Sequence, residues 1–165
     1  MNQDISNEFR ILLDALKPAT VLSLIPEDAP PGLMIYRAEA LLELDRSLEA
    51  KNLLDPLVGQ LNSDQFAAAE GLWSQVLLRL GWNDAAILAA NRALDAAQHD
   101  TLRASFHATA AVGFANKRCW ISAENRIRTA LEMSPNNPQV LVAQARLLLE
   151  ADQRIKARQV YEHME

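Results

Sequence analysis

The sequence predicts an all-α chain, an α-α superhelix (solenoid) of about four helical hairpins preceded by N-terminal helices. Three observations predict it. Half of the residues are hydrophobic, yet aromatics make up only 5%, so the apolar content is mainly Ala and Leu, which are good helix formers. No stretch sustains the period-2 alternation of a half-buried strand. Small residues also return in register. Ala50, Ala86, Ala123 and Ala157 follow one another at 36, 37 and 34 residues, and Ala38, Ser74, Ala111 and Ala145 repeat the same three spacings.

The elements follow in order. Phe9, Leu12, Leu13 and Leu16 place a helical stripe on residues 4–16. Lys17-Pro18 interrupts it, and Pro suits the first turn of a short second helix at 19–24. Pro26, Pro30 and Pro31 then forbid a continuous helix. Beyond them four pairs are expected: 33–44 with 47–54, 64–80 with 83–97, 101–116 with 121–133, and 139–150 with 154–164. The turns fall at Asp45-Arg46, at Gly81 and at Lys117-Arg118, and the segment from Ser134 to Pro138 punctuates the last two pairs. Pro56 falls late in the second helix of the first pair and should end or kink it. Connections this short make consecutive helices antiparallel neighbours. The domain plan is therefore N-terminal capping helices at 1–30 and a repeat array at 31–165, in units of about 31–64, 67–100, 104–137 and 138–165.

Two further columns move with the small ones: Leu54, Ala90, Ile127 and Tyr161, and Leu57, Ala93, Ala130 and Met164. Four columns in one register have a common physical reason. Two helices approach closely only where neither carries a bulky side chain at the crossing, and a larger residue opposite fills the space left.

The residues that carry these columns resemble the tetratricopeptide repeat family. The unit at 104–137 has Ala111, Phe114, Ala123, Ile127, Ala130-Leu131 and Pro135 in the order and spacing of the family motif. The unit before it has Leu77, Gly81, Ala86 and Ala93-Leu94, the last has Leu141, Ala145, Leu148, Ala157 and Tyr161, and the first has Ala38, Leu41 and Ala50. The repeats run longer than the family's usual length, and Trp is missing from its usual place in the first helices. The resemblance implies a protein-binding scaffold whose first helices line a concave groove for an extended peptide or a helix. Carried over residue by residue, the lining is Ile35, Tyr36, Glu39 and Glu43, then Leu72, Gln75 and Arg79, then Thr109, Val112 and Asn116, and finally Val142, Arg146 and Glu150. The family's clamp for an acidic chaperone tail needs basic residues at places occupied here by Ile35, Glu39, Leu72, Ser105 and Thr109, so that ligand is not expected.

Charge excludes other classes. The net charge is −5 and the pI about 5.2, and the cations at Lys117-Arg118 and at Arg154, Lys156 and Arg158 are local, so no basic stripe for nucleic acid exists. Asp14, Lys17 and Pro18 break the apolar segment at 11–25, which rules out a span of about 20 apolar residues and hence membrane insertion. With one cysteine, Cys119, no internal disulfide forms, and the first residues lack a signal peptide's cationic start. A cytoplasmic location is expected.

Candidate chemistry is thin. His99, His107 and His163 lack metal-ligand spacing with one another or with Cys119, so no metal is expected. Gly32, Gly59, Gly71, Gly81 and Gly113 stand apart rather than in a phosphate loop, and no other cofactor signature appears. Glu39 and Glu43 share a helix face, as exposed carboxylates often do. Trp73, Trp82 and Trp120 are read as wedges between hairpins or residues near turns. Cys119 beside Lys117-Arg118 is read as a half-buried small residue in preference to an activated thiol. The chain is thus expected to be no enzyme. The other readings are a stand-alone secretion chaperone of similar architecture and a self-associating scaffold. His163, Met164 and Glu165 close the sequence inside a helix without a polar cap. The expectation is that the chain is part of a longer protein, or that a partner or a second copy covers the last helix.

Overall fold

The structure is a computed structural model and describes residues 9, 11–13, 15, 17–57, 61, 63–162 and 164. Leu16, Gly59 and His163, which the sequence reading uses, lie outside the described residues. Nine helices are bounded among those described: α1 (Pro18–Leu24), α2 (Pro31–Glu43), α3 (Ser47–Leu54), α4 (Ser63–Arg79), α5 (Asn83–Ala96), α6 (Asp100–Asn116), α7 (Trp120–Met133), α8 (Pro138–Glu150) and α9 (Arg154–Glu162). Phe9 and residues 11–13 are also helical, and no described residue is in a strand.

Prolines start helices here because the first turn has no use for their missing N–H. Pro18, Pro31 and Pro138 each occupy the first turn of α1, α2 and α8. Pro56 follows α3, which ends at Leu54. The turn inside each hairpin is one motif used four times. Asp45, Gly81, Arg118 and Asp152 have φ of +61°, +80°, +62° and +56°. In each turn the next residue's N–H reaches back five residues: Arg46 to Leu41, Trp82 to Leu77, Cys119 to Phe114 and Gln153 to Leu148, over 2.8–2.9 Å. This is the Schellman ending, in which a left-handed residue lets late N–H groups satisfy the helix's free carbonyls. Only Gly81 has the residue type that adopts this φ without strain. The four left-handed residues stand at the spacings of the small columns.

The helices pack as α2/α3, α4/α5, α6/α7 and α8/α9, with α1 on α2. Each second helix also meets the next first helix, and the first helices meet in series: α2 with α4, α4 with α6, α6 with α8. Every member of both small columns is at most 1% exposed. Ser74 takes its place in the column by volume, since its hydroxyl has no hydrogen-bond partner. Between hairpins, Gly71 of α4 faces the ring of Phe106 on α6 so closely that an added Cβ would lie 2.1 Å from it.

The core changes character along the chain. Toward the N-terminus Phe9, Leu13, Val21, Ile25, Leu42, Leu54 and Val76 form one cluster of large side chains. Arg37 ties α1 to it by donating to the carbonyl oxygens of Leu22 and Ile25. Around α6, α7 and α8 the cluster is built on Ala104, Ala108, Ala111, Ala115, Ala123, Ala130 and Ala143, with Ile127, Val140 and Leu147 among them. No described helix is long and apolar enough to cross a membrane.

Candidate partner-binding face

The residues assigned to a groove all lie on the first helices, and burial divides them. Ile35, Leu72, Thr109 and Val112 are buried, each 6–9% exposed. Tyr36, Glu39, Gln75 and Asn116 are half-buried, and Glu43, Arg79, Val142, Arg146 and Glu150 are exposed. What a ligand can touch among these residues is therefore mostly polar, with Val142 the exposed aliphatic of the set.

Several of the polar residues are tied across hairpins near the turns. Arg79, at the end of α4, pairs with Asp45 in the preceding turn at 3.1 Å. Asn116 donates to Asn83 Oδ1 at 2.8 Å and accepts from Arg146 Nη2 at 2.8 Å. Arg146 also pairs with Glu150 one turn on, at 3.0 Å. Lys117 pairs with Asp84, and that hydrogen bond raises the lysine's pKa above its ordinary value. Ala115, Asn116, Arg118 and Glu150 line a shallow depression of about 500 Å³ where α6 and α8 end. These contacts fix the turn ends of successive hairpins to one another. The pairs are mostly exposed, so each adds little stability, and their effect is on geometry.

The sequence reading missed a second set of side chains. Asn137 caps α8 by accepting from the N–H of Gln139 at 2.9 Å, and its amide donates to Thr101 O and Ser105 Oγ on α6. An Asn immediately before a helix-starting Pro is a legible N-cap signal, but its bonds to α6 are not local. Glu70 is 3% exposed and accepts from Arg92 Nε and Nη2, at 3.0 and 2.8 Å. Burial of that carboxylate is tolerable only because the guanidinium binds both oxygens.

His107, on α6, is half-buried against Arg126. One guanidinium nitrogen lies 3.1 Å from its Nδ1, and the other donates to Asn91 at 2.9 Å. Burial lowers the imidazole's pKa below its ordinary 6.5, and the charges of Arg126 and Arg103 lower it further. The ring is therefore neutral at pH 7, with Nδ1 as the acceptor. It lines a second shallow depression with Phe114, Ser122, Asn125, Arg126 and Thr129.

The other candidates separate. Cys119 is exposed in the α6–α7 turn, its Sγ 3.7 Å from Lys117 O. The Lys51 ammonium lies 5.4 Å from the Trp73 ring centre and 5.9 Å from that of Trp82, so these two indoles flank a cation of the chain itself. Trp120 sits beneath the Arg118 guanidinium. Among the described residues no group of three or more His, Cys, Asp or Glu side chains is placed to hold a metal ion.

Compared with known proteins, the chain matches no family model, no curated protein and no solved structure.

Proposed function

We propose that the chain is a tetratricopeptide-like solenoid that serves as a binding scaffold in the cytoplasm, taking a partner's helix or extended segment along its first helices. The observation that carries the reading is the contact series α2, α4, α6, α8, in which each first helix meets the next. The four matching turns and the buried small columns support the repeat, since equal joints between hairpins follow from equal residues at equal spacing. The cross-hairpin ties at Asp45–Arg79 and Asn83–Asn116–Arg146 would hold that series at a fixed curvature. A preorganised surface loses less freedom on binding. Its accessible residues, Tyr36, Glu39, Glu43, Gln75 and Arg146 among them, suit a segment that combines hydrogen bonding with a few apolar anchors. The reading assigns no reaction to the chain.

The test places a photo-crosslinking residue at Gln75, and separately at Leu88 on α5, in cells that make the protein. A partner trapped from position 75, absent from position 88, and lost when Glu43→Arg is added would support the first helices as the binding face. Equal trapping from both positions, or trapping indifferent to Glu43→Arg, would remove the face from consideration. Circular dichroism checks that each variant stays folded.

A further inference from the structure

Most of the described arginines pair with a carboxylate. Arg103, Arg126 and Arg128 do not, and all three stand around the depression of about 440 Å³ on α6 and α7 that holds His107. Arg126 lines it, Arg128 donates to its Asn125, and the charge of Arg103 acts on its His107. Their partners are neutral. Arg126 bonds to His107 Nδ1 and to Asn91 Oδ1, and Arg103 donates to the carbonyl oxygens of Leu94 and Ala97. No described carboxylate lines the depression. In a chain of net charge −5, this is a local concentration of uncompensated positive charge.

The lining also has donors to spare. A guanidinium carries five N–H groups, and Arg126 uses one on each of its terminal nitrogens for His107 and Asn91, which leaves three. His107 accepts at Nδ1, so the neutral ring carries its proton on Nε2, as a donor. Asn125 spends its oxygen on Arg128 and keeps its amide N–H groups. The Ser122 hydroxyl has no hydrogen-bond partner among the described residues, whereas that of Thr129 is spent on the Asn125 carbonyl. Ser122, Asn125 and Arg126 stand at i, i+3 and i+4, one face of α7, and His107 meets them from α6.

Donors on two helices and three unpaired guanidinium charges suit a tetrahedral dianion better than a carboxylate. A phosphoryl group offers three oxygens and nearly two charges, a carboxylate two oxygens in one plane and a single charge. Phe114 lies two turns from His107 along α6, about 10 Å, and gives the depression an apolar end. We propose that this depression is a binding site for a phosphate monoester. Arg126, His107 Nε2, Asn125 and Ser122 hold the phosphoryl oxygens, and the ester's organic group lies toward Phe114. The site shares no residue with the first-helix lining and does not depend on it.

The probe is phenyl phosphate at pH 7.5, titrated into the isotope-labelled full chain and followed by NMR at the Arg126 Nε–H and the backbone of α7. Benzoate, the same ring on a carboxylate, is the comparison. Saturable shifts are expected with phenyl phosphate, and binding at least about tenfold weaker with benzoate. Arg126→Gln should weaken phenyl phosphate at least about tenfold. So should Asn125→Asp, which sets a carboxylate against the phosphoryl group at an exposed position where the fold does not depend on it. Arg158→Gln on α9 leaves binding unchanged. Thermal unfolding checks each variant. A capped phosphotyrosine separates the two sources of the group: tighter binding than phenyl phosphate assigns the site to a phosphorylated side chain of a partner, equal or weaker binding to a free small monoester. No saturable shift, equal binding of benzoate, or binding unchanged in both Arg126→Gln and Asn125→Asp overturns the proposal. None of these outcomes bears on the Gln75 crosslinking result.

Discussion

The two ends of the core solve the same packing problem with different side chains. The N-terminal cluster uses Val21, Ile25, Leu42, Leu54 and Val76, so few residues remove much apolar surface from water. The α6–α8 cluster uses alanines at most crossings, so each residue contributes less area and stability comes from close helix approach. The first kind of core is sensitive to loss of volume, the second to gain of it. Both regions keep small residues at the crossings, Ala38 and Ala50 in the first and Ala111 and Ala123 in the second, and they differ in the size of the side chains packed around them.

The largest expected effect breaks the first region. Leu54→Ala deletes a side chain only 1% exposed and should cost about 2–5 kcal/mol by urea unfolding. Ala123→Leu tests the second region, where three extra heavy atoms do not fit at a residue 0% exposed. A cost of about 1–3 kcal/mol is expected, and a neutral result would show that the crossing has slack. Gly81→Ala probes the turn by itself, since nothing lies within 4 Å of the new Cβ. Its left-handed φ alone should cost about 1 kcal/mol in the same titration. Ser74→Ala should gain about 1 kcal/mol by removing an unpartnered buried hydroxyl. A loss on that substitution would mean that the hydroxyl, and not its volume, is what the column needs.

The smallest effect is a pH dependence. The folded imidazole of His107 is harder to protonate than the unfolded one, because burial and two guanidinium groups oppose its charge. The unfolded chain therefore binds more protons as pH falls below the ordinary 6.5, and stability declines from there down to the lowered folded pKa. The contribution is fully present above pH 6.5. Urea midpoints compared at pH 7.5 and 5.5 should differ more for wild type than for His107→Gln, and equal slopes would remove His107 as the cause.

Much of the hairpin architecture was legible because its signals are local. Helical periodicity, proline at first turns and short connections mark where each helix runs, and differences at the ends are of one or two residues, as with Pro31 where the pattern begins at Leu33. The small columns were legible as spacing alone. The site was legible in part. Periodicity places Ile35, Leu72, Thr109 and Val112 on the first helices, but their burial depends on tertiary packing that periodicity does not report. Glu70–Arg92, Arg126–Asn91 and Asn137–Ser105 were illegible for the same reason, since each pair is separated by 22 to 35 residues.

By itself the sequence determined the elements and the order of their pairing, because helix period, caps and turn length act within a few residues. It also determined where the helices can come close, because a missing side chain is visible in one dimension. Only the tertiary structure decided which of those helix faces are covered. Val142 and Ala108 carry the same pattern in the chain, yet one is 48% exposed and the other 2%, since burial depends on a neighbour and not on the residue that receives it.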